Sequence, residues 1–320
     1  MSATAMKQVE EVPEQDLIAP LRERFVLESG DVLSDGEVRL RRFGSPDAPQ
    51  IVALGGISAG RFVSGADGWW SGVVGPGAGV DTRKYGVIGV DFAPLGDERV
   101  RISPFDQARL IGLALDQFGV KSLHGFVGAS YGGMVGLAFA ALFPERVERL
   151  CVICALAKPS ALGAAWRGVQ RRMVEFGIAK GDPDGGLSLA RQLAMTTYRS
   201  AEEFETRFGA GVGDDGKGKV DSYLIARGDA YHRTMGAQRW LSLSEAIDRH
   251  AIEPETVSAA TTLVVCPTDQ LVPFEDAEAL ARALPNLDAF CPLPSLYGHD
   301  SFLKEDDALR PILARALERS

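Results

Sequence analysis

Short apolar runs separated by polar turns alternate along this chain with segments whose apolar residues repeat at helical spacing. Ile51 to Leu54, Val87 to Val90 and Leu123 to Val127 are nearly continuous apolar runs, the pattern of strands buried on both faces. Between them, Pro104 to Phe118 repeats apolar residues at Leu110, Ile111, Leu113 and Leu115. Tyr131 to Phe143 does the same at Met134, Val135, Leu137, Ala138 and Leu142. Such alternation predicts a parallel sheet with right-handed crossovers and helices on both faces. Upstream, Phe25 to Leu27 and Val38 to Phe43 flank a turn-rich stretch and predict an antiparallel hairpin opening the sheet. From Lys158 to Thr256 the alternation stops, and helical patterns are broken by Gly-Asp-rich stretches at Gly181 to Gly186 and Gly209 to Gly218. Strand patterns return at Thr261 to Cys266 and Leu287 to Leu293. The simplest organisation is an α/β core, residues 1–157 and 257–320, interrupted by a helical lid or dimerisation element at 158–256.

Composition narrows the partners. With 320 residues and 46% apolar content the chain can bury one sizeable core. A net charge of −9 opposes attraction to nucleic acid or an anionic membrane, so a small-molecule partner is expected. The first 30 residues carry Glu10, Glu11, Glu14 and Asp16 without an apolar run, and no stretch of 18 apolar residues occurs anywhere. A cytoplasmic protein without a secretory leader or membrane span is the expectation. Cys151, Cys154, Cys266 and Cys291 fall in or beside apolar runs and read as buried hydrophobes. The Cys151-x-x-Cys154 pair lies in a strand pattern with no second pair at metal-site spacing, so no metal is expected.

Chemistry enters at Val127-Gly128-Ala129-Ser130-Tyr131-Gly132-Gly133-Met134, where a serine sits between glycines as a strand pattern becomes a helical one. A serine hydroxyl is presented as a nucleophile at such a sharp strand-to-helix turn. The five-residue pattern is weak by itself, so its context must supply a base and an acid in the order Ser, acid, His. Asp269, beyond the strand ending near Val265, and His299, in Tyr297-Gly298-His299-Asp300 before the last helix, stand in that order. His124 lies in a strand pattern, and His232 and His250 lie in the insertion, where structural roles are expected. Oxyanion donors are expected from the Tyr131 backbone and from the glycine-rich Leu54-Gly55-Gly56-Ile57 turn, with Leu54 and Gly55 as candidates.

Several segments together resemble the homoserine O-acyltransferase family of α/β-hydrolase-fold enzymes. They are Trp69-Trp70 to Gly77 with Asp81-Thr82 and Tyr85, the Ser130 elbow, Arg191 to Ser200 with Phe204 and Arg207-Phe208-Gly209, Val220 to Leu224, and Tyr297 to Asp300. The resemblance implies transfer of an acyl group from a coenzyme A thioester to the hydroxyl of L-homoserine, in methionine biosynthesis, through an acyl-Ser130 intermediate. CoA is then a co-substrate and no bound cofactor is needed. The family's acceptor-binding roles fall on Arg191 and Tyr198 for the amino-acid carboxylate and on Asp300 for its ammonium; a homodimer built through the lid is also implied. Two departures stand out. Tyr131 occupies a position where the family usually has Met, and the stretch between Asp91 and Pro104 is shorter than in longer members. Arg61, after the glycine turn, is a candidate for pairing with a succinyl carboxylate, a CoA phosphate or solvent, which tilts the expectation slightly toward succinyl over acetyl. Serine as acceptor and hydrolysis of an ester or thioester are the competing expectations.

Overall fold

The computed structural model describes residues 12–318 apart from 210, 214, 215 and 217. The outer ends of the expected core, 1–11 and 319–320, and four positions of the Gly209 to Gly218 break therefore lie outside the described residues. Among the described residues, eight strands form the main sheet: β1 Glu14–Pro20, β2 Glu37–Phe43, β3 Gln50–Leu54, β4 Gly86–Val90, β5 Leu123–Ala129, β6 Val147–Ile153, β7 Ala260–Val265 and β8 Leu287–Pro292. Their spatial order is β1-β2-β4-β3-β5-β6-β7-β8. The first two strands are antiparallel to their neighbours, and all pairings from β4 through β8 are parallel.

Alternation within the strands divides the core in two. Val52 and Leu54 of β3 face one apolar cluster, together with Phe126 of β5. Ile51 and Ala53 face the other, together with Val127. Successive strand side chains point to opposite faces, so a continuous apolar run is what a sheet covered on both sides requires. Helices α1 (Pro104–Gln117) and α2 (Tyr131–Leu142) cover the first face. The final helix, Asp306–Leu317, covers the second through Leu309 and Leu313. Ser103 caps α1 in a reciprocal box with Asp106, and Pro104 takes the first helical position, where its missing N–H costs nothing.

The opening hairpin differs from the sequence expectation. Its first strand is Glu14–Pro20, in register with β2 from Glu14 opposite Phe43 to Pro20 opposite Glu37, whereas Val26 makes only an isolated bridge to Val32. The reason is the edge position. Only Leu17 and Ala19 of β1 are buried, so a segment with two inward apolar residues satisfies a strand that packs on one side.

Among the described residues, five α-helices lie between β6 and β7: α3 Ala161–Ala179, α4 Pro183–Tyr198, α5 Ala201–Arg207, α6 Lys219–Tyr231 and α7 Ala237–Asp248. The segment leaves and rejoins the core at one place, where the Ile252 N–H donates to the Ala157 carbonyl. His250 is buried there and donates through Nε2 to the Leu156 carbonyl at 3.1 Å, a structural position. Among the described residues no helix is long and apolar enough to cross a membrane.

Candidate active site

Ser130 stands between β5 and α2 with φ 55° and ψ −122°, a backbone conformation that strains a side chain bearing a Cβ. The turn is this tight because the residues two positions away on either side lack side chains. A Cβ on Gly128 would collide with the Gly132 carbonyl, and one on Gly132 would come within 2.6 Å of the Leu54 carbonyl group. The strained serine is held by its N–H bond to the Ile153 carbonyl at 2.8 Å, while its own carbonyl accepts from Gly133 and Met134 in the first turn of α2. The hydroxyl is thereby set beside a helix N-terminus, whose free N–H groups favour developing negative charge.

Ser130 Oγ lies 2.7 Å from His299 Nε2, and His299 Nδ1 lies 2.7 Å from Asp269 Oδ2. With the proton on Nδ1, the imidazole donates to Asp269 and leaves Nε2 to accept from the serine. Asp269 is fixed in turn, because its Oδ1 accepts the backbone N–H groups of Leu271 and Val272 at 2.8 and 3.2 Å. His299 is buried, and burial opposes its protonation. The adjacent Asp269 carboxylate outweighs that penalty, so the imidazole holds its proton more tightly than an ordinary histidine.

Ser130 and His299 open into a cavity of about 290 Å³ between the sheet's carboxyl ends and the helical insertion. Tyr131, Gly56 and Ile57 line it beside Ser130, whereas Leu54 and Gly55 are not among its lining residues. Gly55 instead accepts the Gly132 N–H through its carbonyl at 2.8 Å, and Leu54 pairs with Gly128 in the sheet. The Tyr131 N–H has no hydrogen-bond partner among the described residues. Its ring is turned away into the core, edge-on to Phe92 at 4.9 Å, which is how a tyrosine fits at this position of the elbow.

Arg191, Tyr198 and Asp300 all line the same cavity. The Arg191 guanidinium lies over the rings of Tyr198 and Tyr231, at 5.4 and 4.6 Å, and has no carboxylate partner among the described residues. Tyr198 also approaches the His299 ring at 5.8 Å. Asp300 accepts through Oδ2 from Nε of Arg199 at 2.8 Å, and Arg199 binds Glu203 at 3.0 Å. Sequence reasoning gave Arg199 no role, although it directly follows Tyr198. Its burial is the informative property, and burial of an arginine between a carboxylate four residues on and one from a distant loop is not visible in local spacing.

Arg61 is not brought to the cavity. Its guanidinium pairs with Asp91 at 2.5 Å and Asp16 at 3.3 Å, and it lies over Phe62. Two carboxylates already satisfy the cation, so the expected contact with a succinyl carboxylate is corrected. No group of three or more His, Cys, Asp or Glu suited to a metal occurs among the described residues.

A relay of this geometry on this sheet defines a serine-dependent acyl-transfer or hydrolytic class. Residues 51–306 match the α/β-hydrolase-fold family. A homoserine O-succinyltransferase from Xanthomonas campestris is 38% identical over 88% of this chain and 79% of its own. A homoserine O-acetyltransferase from Clavibacter michiganensis is 32% identical over 91% of this chain and 90% of its own. The crystal structure of homoserine O-acetyltransferase from Bacillus anthracis superposes with a TM-score of 0.86 at 18% identity, covering 97% of this chain and 99% of that one. The chain belongs to the homoserine O-acyltransferase family of α/β-hydrolase-fold enzymes.

Proposed function

We propose that the protein transfers an acyl group from a coenzyme A thioester to the hydroxyl of L-homoserine, a step of methionine biosynthesis, through an acyl-Ser130 intermediate. Ser130 Oγ attacks the thioester carbonyl as His299 Nε2 takes its proton. The N–H groups of Tyr131 and of the Leu54 to Ile57 turn stabilise the oxyanion. Collapse breaks the C–S bond, and the CoA sulfur leaves with the proton from His299. The acceptor hydroxyl then enters, gives its proton to His299 and attacks the acyl-serine. The serine oxygen recovers a proton as the new ester departs.

One observation carries this reading beyond hydrolysis: the unpaired Arg191 guanidinium and the Asp300 carboxylate share a cavity with the Ser130 relay. Opposite charges flanking a nucleophile suit the carboxylate and ammonium of an amino acid, with its side-chain hydroxyl directed at the acyl-serine. Homoserine is preferred to serine on the names of the relatives, because one methylene is worth only about 1 to 3 kcal/mol of discrimination. The reading includes a homodimer in the cytoplasm. Leu162, Val169 and Phe176 recur every seven residues on α3 and are exposed, a stripe that a second copy's helix fits; sedimentation equilibrium reads the stoichiometry. Free thiol followed from acyl-CoA with and without homoserine tests the reaction. Homoserine-dependent release supports transfer, and equal release in its absence makes the protein a thioesterase.

A further inference from the structure

The cavity contains one more cation than an amino-acid acceptor uses. With Arg191 facing a carboxylate and Asp300 an ammonium, the acceptor's two charges are matched. Arg167 also lines the cavity, on the wall formed by α3. Its Nε and Nη2 both contact a single oxygen of Asp248, at 2.8 and 2.6 Å, while Arg171 takes the other oxygen at 2.7 Å. Two guanidinium groups therefore share one carboxylate, leaving a net positive charge. Arg167 Nη1 has no hydrogen-bond partner among the described residues.

A second, independent feature lies one helical turn away. Gln170 is 4% exposed and lines the same wall, yet its amide makes no hydrogen bond among the described residues. The side chain is nearly all buried and its amide meets no described protein group, so its donors and acceptor are open to whatever fills the cavity. Residues three apart on a helix share a face, so Arg167 and Gln170 together present a cationic fork and a neutral amide to the cavity. Trp166, Leu156 and Ile247 surround them with apolar surface. Arg167 is also close enough to His299 to oppose its protonation, which places this charge within the field of the reacting centre.

Resting on the acyl-transfer reading, we infer that Arg167 and Gln170 form a subsite for the distal carboxylate of a dicarboxylic acyl group, making succinyl the favoured acyl group over acetyl. An acetyl group ends at its methyl and leaves both polar groups unmet. A succinyl group carries a second carboxylate beyond two methylenes, and the fork and amide supply donors for it. Arg61, turned outward onto Asp91 and Asp16, has no part in this subsite.

The test measures kcat/KM for succinyl-CoA and acetyl-CoA with homoserine in the wild type, Arg167→Met and Gln170→Glu. The succinyl-to-acetyl ratio falls about ten- to a hundredfold in Arg167→Met, the value of a charged hydrogen bond. It falls in Gln170→Glu as well, because that substitution puts a negative charge against the incoming carboxylate while leaving the Arg167–Asp248 pair intact. An unchanged ratio in both variants overturns the subsite, even when homoserine-dependent transfer stands. Equal losses with both donors also overturn it and place Arg167 on the CoA moiety. If the wild type shows no homoserine-dependent thiol release with either donor, the acyl-transfer reading falls instead.

Discussion

The elbow and the insertion build their halves of the cavity by opposite means. At the elbow the backbone does the positioning: Ser130 is forced into a positive φ, its flanking glycines permit the turn, and Asp269 is fixed by two backbone N–H groups. On the insertion side, charged side chains do it, through the Arg199 pairings with Glu203 and Asp300 and the Asp248 pairings from α7 to Arg167 and Arg171 of α3. The elbow therefore contributes a fixed chemistry, and the insertion contributes an adjustable choice of substrate. Loops and insertions on a rigid sheet are where such variation accumulates.

The sharpest way to break this comparison is to remove a charge on the insertion side alone. Arg191→Met is expected to lower homoserine-dependent turnover by about a hundredfold while the first burst of thiol release from acyl-CoA persists. Rapid-quench kinetics separates the two half-reactions. Loss of the burst as well would mean that Arg191 takes part in acylation, and its assignment to the acceptor would fail.

A smaller effect is expected from Arg199, which touches Asp300 and not the cavity's reacting atoms. Arg199→Leu leaves Asp300 and Glu203 facing a buried apolar side chain, which costs about 3 kcal/mol of stability. Arg199→Lys keeps the charge and loses the fork. It is expected to raise the KM for homoserine about tenfold with the acylation rate preserved, and a change in kcat alone would contradict the positioning role.

The gentlest probe is pH. His299 must be neutral to take the Ser130 proton, and its folded-state affinity for protons is raised above the ordinary value of 6.5. Acylation is accordingly expected to rise with pH through an apparent pKa above 6.5. The linked stability runs the other way. A raised folded pKa contributes stability that is complete below the unfolded value and is lost as pH rises through the folded one. Asp269→Asn removes the carboxylate that raises it and is expected to move the acylation profile downward, with a lower plateau. Stopped-flow acylation across pH reads both.

Much of the elbow half was legible in the chain. Glycines around Ser130, the apolar strand before it and the Ser, Asp, His order each follow from a local constraint, and the structure places the three side chains within hydrogen-bond reach. The strands buried on both faces were equally visible as continuous apolar runs. The first strand was not, because an edge strand needs only Leu17 and Ala19 inward, too short an alternation to stand out from a loop. Arg61 misled for a related reason. Its proximity in sequence to the glycine turn suggested the cavity, but Asp16 and Asp91, distant in sequence, capture the guanidinium. Arg199, Arg167 and Gln170 escaped notice because their importance lies in burial and in partners from other elements.

The central claim is that an acyl group rests on Ser130 and is collected by an amino acid bound beneath the insertion. Mass spectrometry of protein quenched after mixing with succinyl-CoA, then chased with homoserine or buffer, tests it directly. A succinyl group on the Ser130 peptide, discharged far faster by homoserine than by buffer, is the predicted result. An unmodified Ser130, or equal discharge in both chases, would contradict the account.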